Sequence, residues 1–369
     1  MGRAETRQPK RRQIERTQPM LRFLFLSLVV GLVPIFSSSA ADKADQPKHL
    51  DEATIAAYER IGGVYGALAQ NHKGLVFKDG KEAIRPGMVP AFRFIRFPLE
   101  KLPKVKESFG LYLTSSYIID ADLKELEGFN TLTSLGLAGT KVTDEGLKEL
   151  KGLTNLTSLD LASTNVTGRG LTELKALKNL NSLNLGCMQV TDEALSALRE
   201  IRLLHTLTHS TAEYGTRPTS EKDLHTLDLS VTMVTDTGLK ELKDLQNLRS
   251  LNLSVTRITD EGLKELKNLK NLSQLKFCLT RVTDEGLKEL KNLKTLTSLD
   301  LCSTRVTDAG LKELQELKDL SSLSLENTEV TDEGLKSLKN LKSLKFLHLA
   351  GTQVTDNTLK VLREIGQLQ

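Results

Sequence analysis

Residues 296–319 read LTSLDLCSTRVTDAGLKELQELKD, and this stretch decides the fold because much of the chain repeats it. Leucines recur every 24 residues in two series: Leu132, Leu156, Leu180, and then Leu224, Leu248, Leu272, Leu296, Leu320, Leu344, Leu368. Leucine accounts for 70 of the 369 residues, far above its usual share of a globular protein. A fixed period of this length predicts a protein of stacked units that share one core.

Each unit contains a strand pattern followed by a helix pattern. Leu299 and Leu301 alternate with polar residues, which indicates a short strand with one buried face. Thr307 and Asp308 then suit a helix start, and leucines every third residue from Leu311 predict an α- or 3₁₀-helical face that points inward. Stacked units of this kind would place a parallel sheet on one face and helices on the other.

The full pattern, L-x-x-L-x-L-x-x-T-x-V-T-D-x-G-L-K-x-L-x-x-L, resembles the leucine-rich repeat and extends over residues 108–369. Its V-T-D-x-G-L-K-E-L part is similar to the cysteine-containing, F-box-associated subclass, a form also found in exported bacterial proteins such as those of planctomycetes. The resemblance implies an α/β solenoid, a horseshoe with a parallel concave sheet and convex helices. It also implies a scaffold that binds unrelated partners, and it says little about which partner.

The first forty residues have the layout of a secretory signal. A basic segment precedes the apolar run Leu21–Phe36, and the small residues 37–41 follow it. We predict a signal peptide over residues 1–40, with cleavage after Ala40 or Ala41 and translation starting at Met1 or Met20. The chain would then be exported with no membrane span after cleavage, and an uncleaved anchor is the alternative. The sequence does not distinguish a periplasmic from an extracellular location.

The net charge of +4 belongs to this segment. Residues 1–40 carry seven basic and two acidic side chains, which leaves 44 basic and 45 acidic groups in the rest of the chain. The chain also has no Trp, and aromatic residues make up 4% of it. Since nucleic-acid binding depends on a basic surface or on aromatic stacking, we predict no nucleic-acid partner.

Two regions depart from the repeat. Residues 41–107 hold six of the 16 aromatic residues, whereas the later repeats have few, and we interpret this region as an amino-terminal cap; a small independent binding domain is the alternative. Residues 108–369 would form about 10–11 units with an irregular loop at 208–223. Strict register would bury His209 in this polar segment, so we predict a loop that leaves the solenoid. Tyr214 and Arg217 are its candidate contact residues, and a tolerated surface insertion is the other interpretation.

The sequence offers no pattern typical of an enzyme. It contains no glycine-rich phosphate loop, no H-E-x-x-H, no C-x-x-C and no serine nucleophile elbow. His205, His209 and His225 hint at a metal site, but repeat duplication explains two of them and no further ligand is evident. We therefore predict no catalytic residues, no metal and no cofactor.

The cysteine pair Cys278 and Cys302 occupies equivalent positions of neighbouring units. Neighbouring strands lie about 4.8 Å apart, within reach of a disulfide. Equivalent side chains of parallel strands point the same way, which makes a bridge awkward. We leave both states open and favour free thiols.

The predicted concave surface is small and polar. Strand positions that point away from the core are Ser134, Ser158, Asp160, Ser182, Asn184, Asp228, Ser250, Asn252, Lys276, Ser298, Asp300, Ser322, Ser324 and His348. The candidate binding residues here are Asp228 and Asp300, with Tyr112 and Tyr117 at the amino-terminal end. Beyond the strands, Arg257, Arg281 and Arg305 share one position in three consecutive units, which suggests an acidic partner; duplication of solvated arginines is the alternative.

We therefore predict an exported, non-enzymatic leucine-rich repeat scaffold for protein–protein recognition. A cell-envelope polysaccharide is an alternative ligand. The F-box-like pattern suggests a substrate-recognition or ubiquitin-ligase-like effector as a second alternative, which the export signal disfavours. The sequence does not predict the oligomeric state.

Overall fold

The computed structural model describes residues 49–71, 74–114 and 117–366, so the predicted signal segment lies outside the described residues. The strands are β1 (Val64–Asn71), β2 (Gly74–Asp79), β3 (Val89–Arg93), β4 (Phe109–Tyr112), β5 (Leu132–Gly136), β6 (Ser158–Asp160), β7 (Ser182–Asn184), β8 (Ser210–Thr211), β9 (Thr226–Asp228), β10 (Ser250–Asn252), β11 (Gln274–Lys276), β12 (Ser298–Asp300), β13 (Ser322–Ser324) and β14 (Phe346–His348).

Short helices connect these strands. The α-helices are α1 (Glu52–Arg60), α2 (Asp144–Leu147), α3 (Asp192–Glu200), α4 (Asp236–Leu239), α5 (Asp260–Leu263), α6 (Asp284–Leu287), α7 (Asp308–Glu313), α8 (Asp332–Leu335) and α9 (Thr358–Glu364). The 3₁₀ helices are Lys81–Ala83, Asp120–Leu126, Lys148–Gly152, Gly170–Ala176, Cys187–Gln189, Leu204–Thr206, Glu213–Gly215, Glu221–Asp223, Lys240–Leu242, Lys264–Asn268, Lys288–Asn292, Leu314–Glu316 and Lys336–Asn340.

The strands form two sheets that share one core. The first has the order β2-β1-β3-β4-β5-β6-β7, and the second has the order β14-β13-β12-β11-β10-β9-β8. From β3 to β7 and from β9 to β14 the neighbours are parallel; Leu227, Leu251 and Leu275, for example, lie side by side. One hydrophobic cluster extends from Leu50 to Ile365 because no unit can bury its leucines alone. The predicted α/β solenoid of strands and helices is confirmed.

Aromatic residues of α1 and of the first sheet fill the amino-terminal end of this core. The rings of Tyr58 and Phe92 stack with centroids 3.9 Å apart, and Phe109 meets Tyr58 edge-on. The Tyr58 hydroxyl donates to the Pro103 carbonyl at 2.8 Å, and burial raises the pKa of this phenol. These rings therefore belong to the same buried cluster as the leucines of the repeats.

The T-D-x-G segment connects each unit to the next. Thr307 caps α7 by accepting from the Ala309 amide at 3.2 Å, and its own amide and hydroxyl donate to Asp284 of the preceding unit at 2.8 and 2.7 Å. A Cβ atom at Gly310 would lie 2.3 Å from the Asp284 carboxylate, closer than atoms can pack. We expected the acidic residues to cap helices, whereas this aspartate stabilises the contact between units.

One departure from the motif supports this explanation. Gly168 stands where other units have the bridging aspartate, and the following unit has Ala194 where most others have glycine. Thr358 also replaces this glycine, beside Asp332, and there its hydroxyl donates to the carboxylate at 2.6 Å. Ala194 is buried without a conflict because no carboxylate extends towards it from position 168. The aspartate and the glycine of the next unit are therefore coupled by space and hydrogen bonding.

Candidate binding surface

The amino-terminal hairpin covers the concave side of the first sheet. β1 and β2 pair antiparallel, and the sheet curls until β2 meets β6. The Leu75 amide donates to the Asp160 carboxylate at 3.0 Å, and Gly74 lies so close to Asp160 and Asn184 that a Cβ atom would overlap them. Leu68 and Leu75 pack with Ala91 into a small second apolar cluster.

This cover removes part of the predicted binding surface. The concave residues Ser134, Ser158, Asp160, Ser182 and Asn184 are all buried. Burial raises the pKa of Asp160, although bonds from Ala162, Leu75 and Asn184 oppose that shift. The structure therefore corrects the sequence interpretation of these five positions as an open surface.

The two amino-terminal tyrosines lie in different surroundings. Tyr112 packs under the hairpin, where its ring stacks on Phe77 with centroids 5.7 Å apart. Tyr117 is exposed, and the cations of Arg96 and Lys141 lie 5.7 and 5.9 Å from its ring centre. Of this pair, Tyr117 is the one whose side chain is accessible to a partner.

The concave side of the second sheet is open. Gln274, Lys276, Phe346 and His348 are exposed, and the remaining concave positions are half-buried. Asp228 and Asp300 belong to the half-buried group, and each accepts a hydrogen bond from the amide two residues on, at 2.8 and 3.0 Å. These bonds stabilise the turns after β9 and β12 and leave carboxylate oxygens for a ligand.

The 208–223 segment borders this open surface. Its Tyr214 is 87% exposed and adopts a left-handed conformation with φ of 57°. Glu213 forms an ion pair with Arg249 at 3.2 Å. Both residues and Tyr214 line a depression of about 520 Å³, together with His225 and the first residues of β10 and β11. The structure therefore brings the predicted loop residue Tyr214 to the concave strands.

The same segment separates the two sheets. On the helical side the Thr235 amide donates to Asp192 at 2.8 Å, so the units on either side of the segment stack directly. On the strand side an extra turn intervenes, in which Leu207 bridges Leu183 and β8 pairs antiparallel with β9. The insertion therefore opens the strand side alone and leaves backbone carbonyls without strand partners.

Arg217 pairs with these carbonyls. Its guanidinium donates at 2.6–3.2 Å to five backbone oxygens, those of Asn181, Thr206, Leu207, Thr208 and Ser210. Burial lowers the pKa of this guanidinium. We predicted Arg217 as a contact residue, but its donors are engaged within the chain, so Tyr214 is the residue of this pair that a partner can reach.

The histidines of this region do not converge. His205 is buried, and burial together with the charge of Arg217 lowers its pKa, whereas His209 is exposed. Among the described residues, the group of potential ligands close enough to hold a metal is Cys278, Asp300 and Cys302. Both sulfurs of that group are engaged in a disulfide.

This disulfide contradicts our preference for free thiols. Cys278 and Cys302 are bonded, with Cα atoms 4.5 Å apart. They lie in the turns after β11 and β12, where the backbone leaves the strand geometry that made a bridge awkward. Leu279 and Ser303, the residues that follow them, have φ of 56° and 52°.

The thiol content of the purified protein tests the disulfide. We expect one reactive thiol per denatured chain, that of the exposed Cys187, and three after reduction. Because reduction opens the link between Cys278 and Cys302, we expect the free energy of unfolding to fall by about 2–4 kcal/mol. Three thiols before reduction would contradict the bridge.

The arginine row lies at the edge of the second sheet. Arg257, Arg281 and Arg305 are exposed, and their amides donate to the preceding unit at 3.4, 3.0 and 3.1 Å. Within the described part of the chain, their side chains have no ion pair. Among all the residues that the structure describes, no helix has the length and apolar character needed to cross a membrane.

Comparison with known proteins agrees with this architecture. Five segments match a family model described as leucine-rich repeat, residues 130–151, 152–175, 244–267, 292–314 and 317–339. The chain therefore contains leucine-rich repeats, as predicted; the match does not support the cysteine-containing, F-box-type subclass or a planctomycete-like origin. No curated protein matches the chain.

Two solved structures are among those to which parts of this chain are similar. An internalin from Listeria monocytogenes is 24% identical, with a TM-score of 0.49, over 76% of this chain and 85% of that chain. An internalin C2 from the same species is 23% identical, with a TM-score of 0.32, over 65% of this chain and 80% of that chain.

Proposed function

We propose that this leucine-rich repeat chain is an exported, non-enzymatic scaffold that binds another protein on the concave side of its second sheet. The observation that carries the proposal is the contrast between the sheets. The hairpin buries the concave side of the first, while the second stays open beside the exposed Tyr214. Solenoids commonly use such extended concave surfaces for recognition.

Export and subclass remain predictions from the sequence. Export depends on the basic segment and apolar run of residues 1–40, and the subclass depends on V-T-D-x-G-L-K-E-L. Residues 41–107 remain our predicted cap. An acidic partner is predicted from the arginine row, which concerns the edge of the sheet and not its concave side.

Capture of partners from the extracellular and envelope fractions of the source cells tests the concave surface. We expect Tyr214→Ala and Lys276→Glu each to lower capture about tenfold, since both side chains are exposed where a partner would lie. Lys291→Glu makes the same charge change in the 3₁₀ helix Lys288–Asn292, and Leu359→Ala removes an exposed large side chain in α9. Both controls should bind normally.

Two outcomes would contradict the proposal. Equal losses in the control variants would place binding elsewhere on the solenoid. Recovery of carbohydrate without protein, abolished by Tyr214→Ala, would favour the polysaccharide alternative.

A further inference from the structure

Three exposed aliphatic residues occupy a turn position that suits glycine or asparagine. Val231, Val255 and Leu279 follow the strands of three consecutive units and have φ of 59°, 58° and 56°. Equivalent turns elsewhere use Gly139, Asn327 and Gly351, which the left-handed region favours, and the small polar residues Ser163 and Ser303. A β-branched valine or a bulky leucine in this region is strained, so the residue choice at these turns opposes local stability.

About half of each of these side chains remains exposed, so packing within the chain compensates for this strain only in part. Val231, Val255 and Leu279 are 51%, 43% and 56% exposed. Their side chains project from a rigid edge, because their amides donate to the following unit at 2.9, 2.7 and 2.9 Å. Strained residues that a rigid backbone presents to solvent are a feature of binding sites.

The arginine row runs beside these residues. Arg257 and Arg281 follow Val255 and Leu279 by two residues, and Arg305 extends the row by one unit. At the same repeat position, the unit before the row has Met233 and the unit after it has Glu329. We call the surface of Val231, Val255, Leu279, Arg257, Arg281 and Arg305 the edge strip. Its aliphatic line and its uncompensated positive charge together form an amphipathic surface.

The spacing of the units favours a bound α-helix over a bound extended strand. Neighbouring turns at this edge repeat at about 4.8 Å, and Cys278 and Cys302 beside the strip are 4.5 Å apart. An α-helix presents one residue per turn every 5.4 Å, whereas one face of an extended strand presents a residue about every 6.6 Å. Over three units, the mismatch between the spacing of the residues and that of the turns adds up to about 1 Å for a helix and about 4 Å for a strand.

We propose that the edge strip binds an amphipathic α-helix of a partner protein, one with an aliphatic residue on each turn and acidic residues along one flank. The helix lies along the solenoid axis, with its aliphatic line on Val231, Val255 and Leu279 and its carboxylates beside the arginines. This site is separate from the concave surface and goes beyond the function proposed above.

A designed peptide serves as the probe. It is an 18-residue labelled helix with leucine on each turn and glutamate on one flank, and its binding to the mature chain is measured by fluorescence anisotropy. We expect saturable binding that weakens with added salt, because the charges are exposed. A peptide with lysine on that flank, and one with two central prolines that prevent a helix, should not bind.

Variants of the protein then locate the site. Leu279→Asn introduces the residue that Asn327 already provides at this turn, so the variant should melt at or above the temperature of the parent while probe affinity falls at least tenfold. Arg281→Glu should have a similar effect on affinity. Tyr214→Ala should leave probe binding unchanged, which separates this site from the concave surface.

Several results would overturn the edge strip as a helix site. These are no binding at 200 µM probe, equal binding of the lysine or proline peptide, and full affinity in Leu279→Asn. Association with vesicles of anionic phospholipid that depends on Leu279 and Arg281, without binding of the helix, would assign the strip to a membrane surface and overturn it as well.

Discussion

Replacement of Arg217 by alanine is expected to lower the free energy of unfolding by about 3–5 kcal/mol. The guanidinium donates to five backbone carbonyls at the point where the insertion separates the sheets. Without it, these acceptors lose the donors that replace a neighbouring strand. Chemical denaturation measures the loss, and hydrogen exchange should show it concentrated around residues 204–223.

Two further variants test the geometric reason. Arg217→Lys keeps the charge but has three donors on one atom. Its free energy of unfolding should therefore fall by more than half of the amount expected for Arg217→Ala. Arg169→Ala removes an exposed ion pair with Glu193 and should cost less than about 1 kcal/mol. An Arg217→Ala variant as stable as Arg169→Ala would show that the carbonyls find other partners.

Replacement of Gly286 by alanine is expected to cost about 2–3 kcal/mol, although alanine usually favours helices over glycine. A Cβ atom there would lie 2.4 Å from the carboxylate of Asp260, which accepts from the Thr283 amide and hydroxyl at 2.8 and 2.7 Å. The carboxylate must move and its bonds to Thr283 are weakened. Denaturation of the full chain measures the effect.

A second substitution, based on a natural pair in this chain, should restore part of the lost stability. The native combination of Gly168 and Ala194 corresponds to Asp260→Gly with Gly286→Ala. We expect the double variant to be at least 1 kcal/mol more stable than the sum of the single changes predicts. Gly152→Ala, with no atom within 4 Å of its added Cβ, should be nearly neutral. Additive single effects would contradict a direct contact between positions 260 and 286.

The candidate site was only partly predictable. The alternation of residues identified the concave positions, and polarity identified the 208–223 loop with Tyr214. The same reasoning treated Asp160 as exposed, since nothing near it in the sequence indicates that Leu75, 85 residues away, donates to it. Arg217 was taken for a contact residue because the sequence shows a cation in a polar loop and not the carbonyls that surround it.

The turns show the same limit at shorter range. Val255 and Leu279 are residue types that rarely adopt the left-handed conformation, so the sequence does not indicate the turns that they form. The bond between Cys278 and Cys302 depends on such turns as well.

The sequence by itself determined the stacked architecture, because a unit of 24 residues interacts mainly with its neighbours and its pattern of leucines is a local property. The tertiary structure decided which face remains open. Curvature of the sheet brings the hairpin over β6, and the insertion divides the sheets while Arg217 closes the gap. These contacts join residues far apart in the chain, and their formation depends on the accumulated geometry of many units.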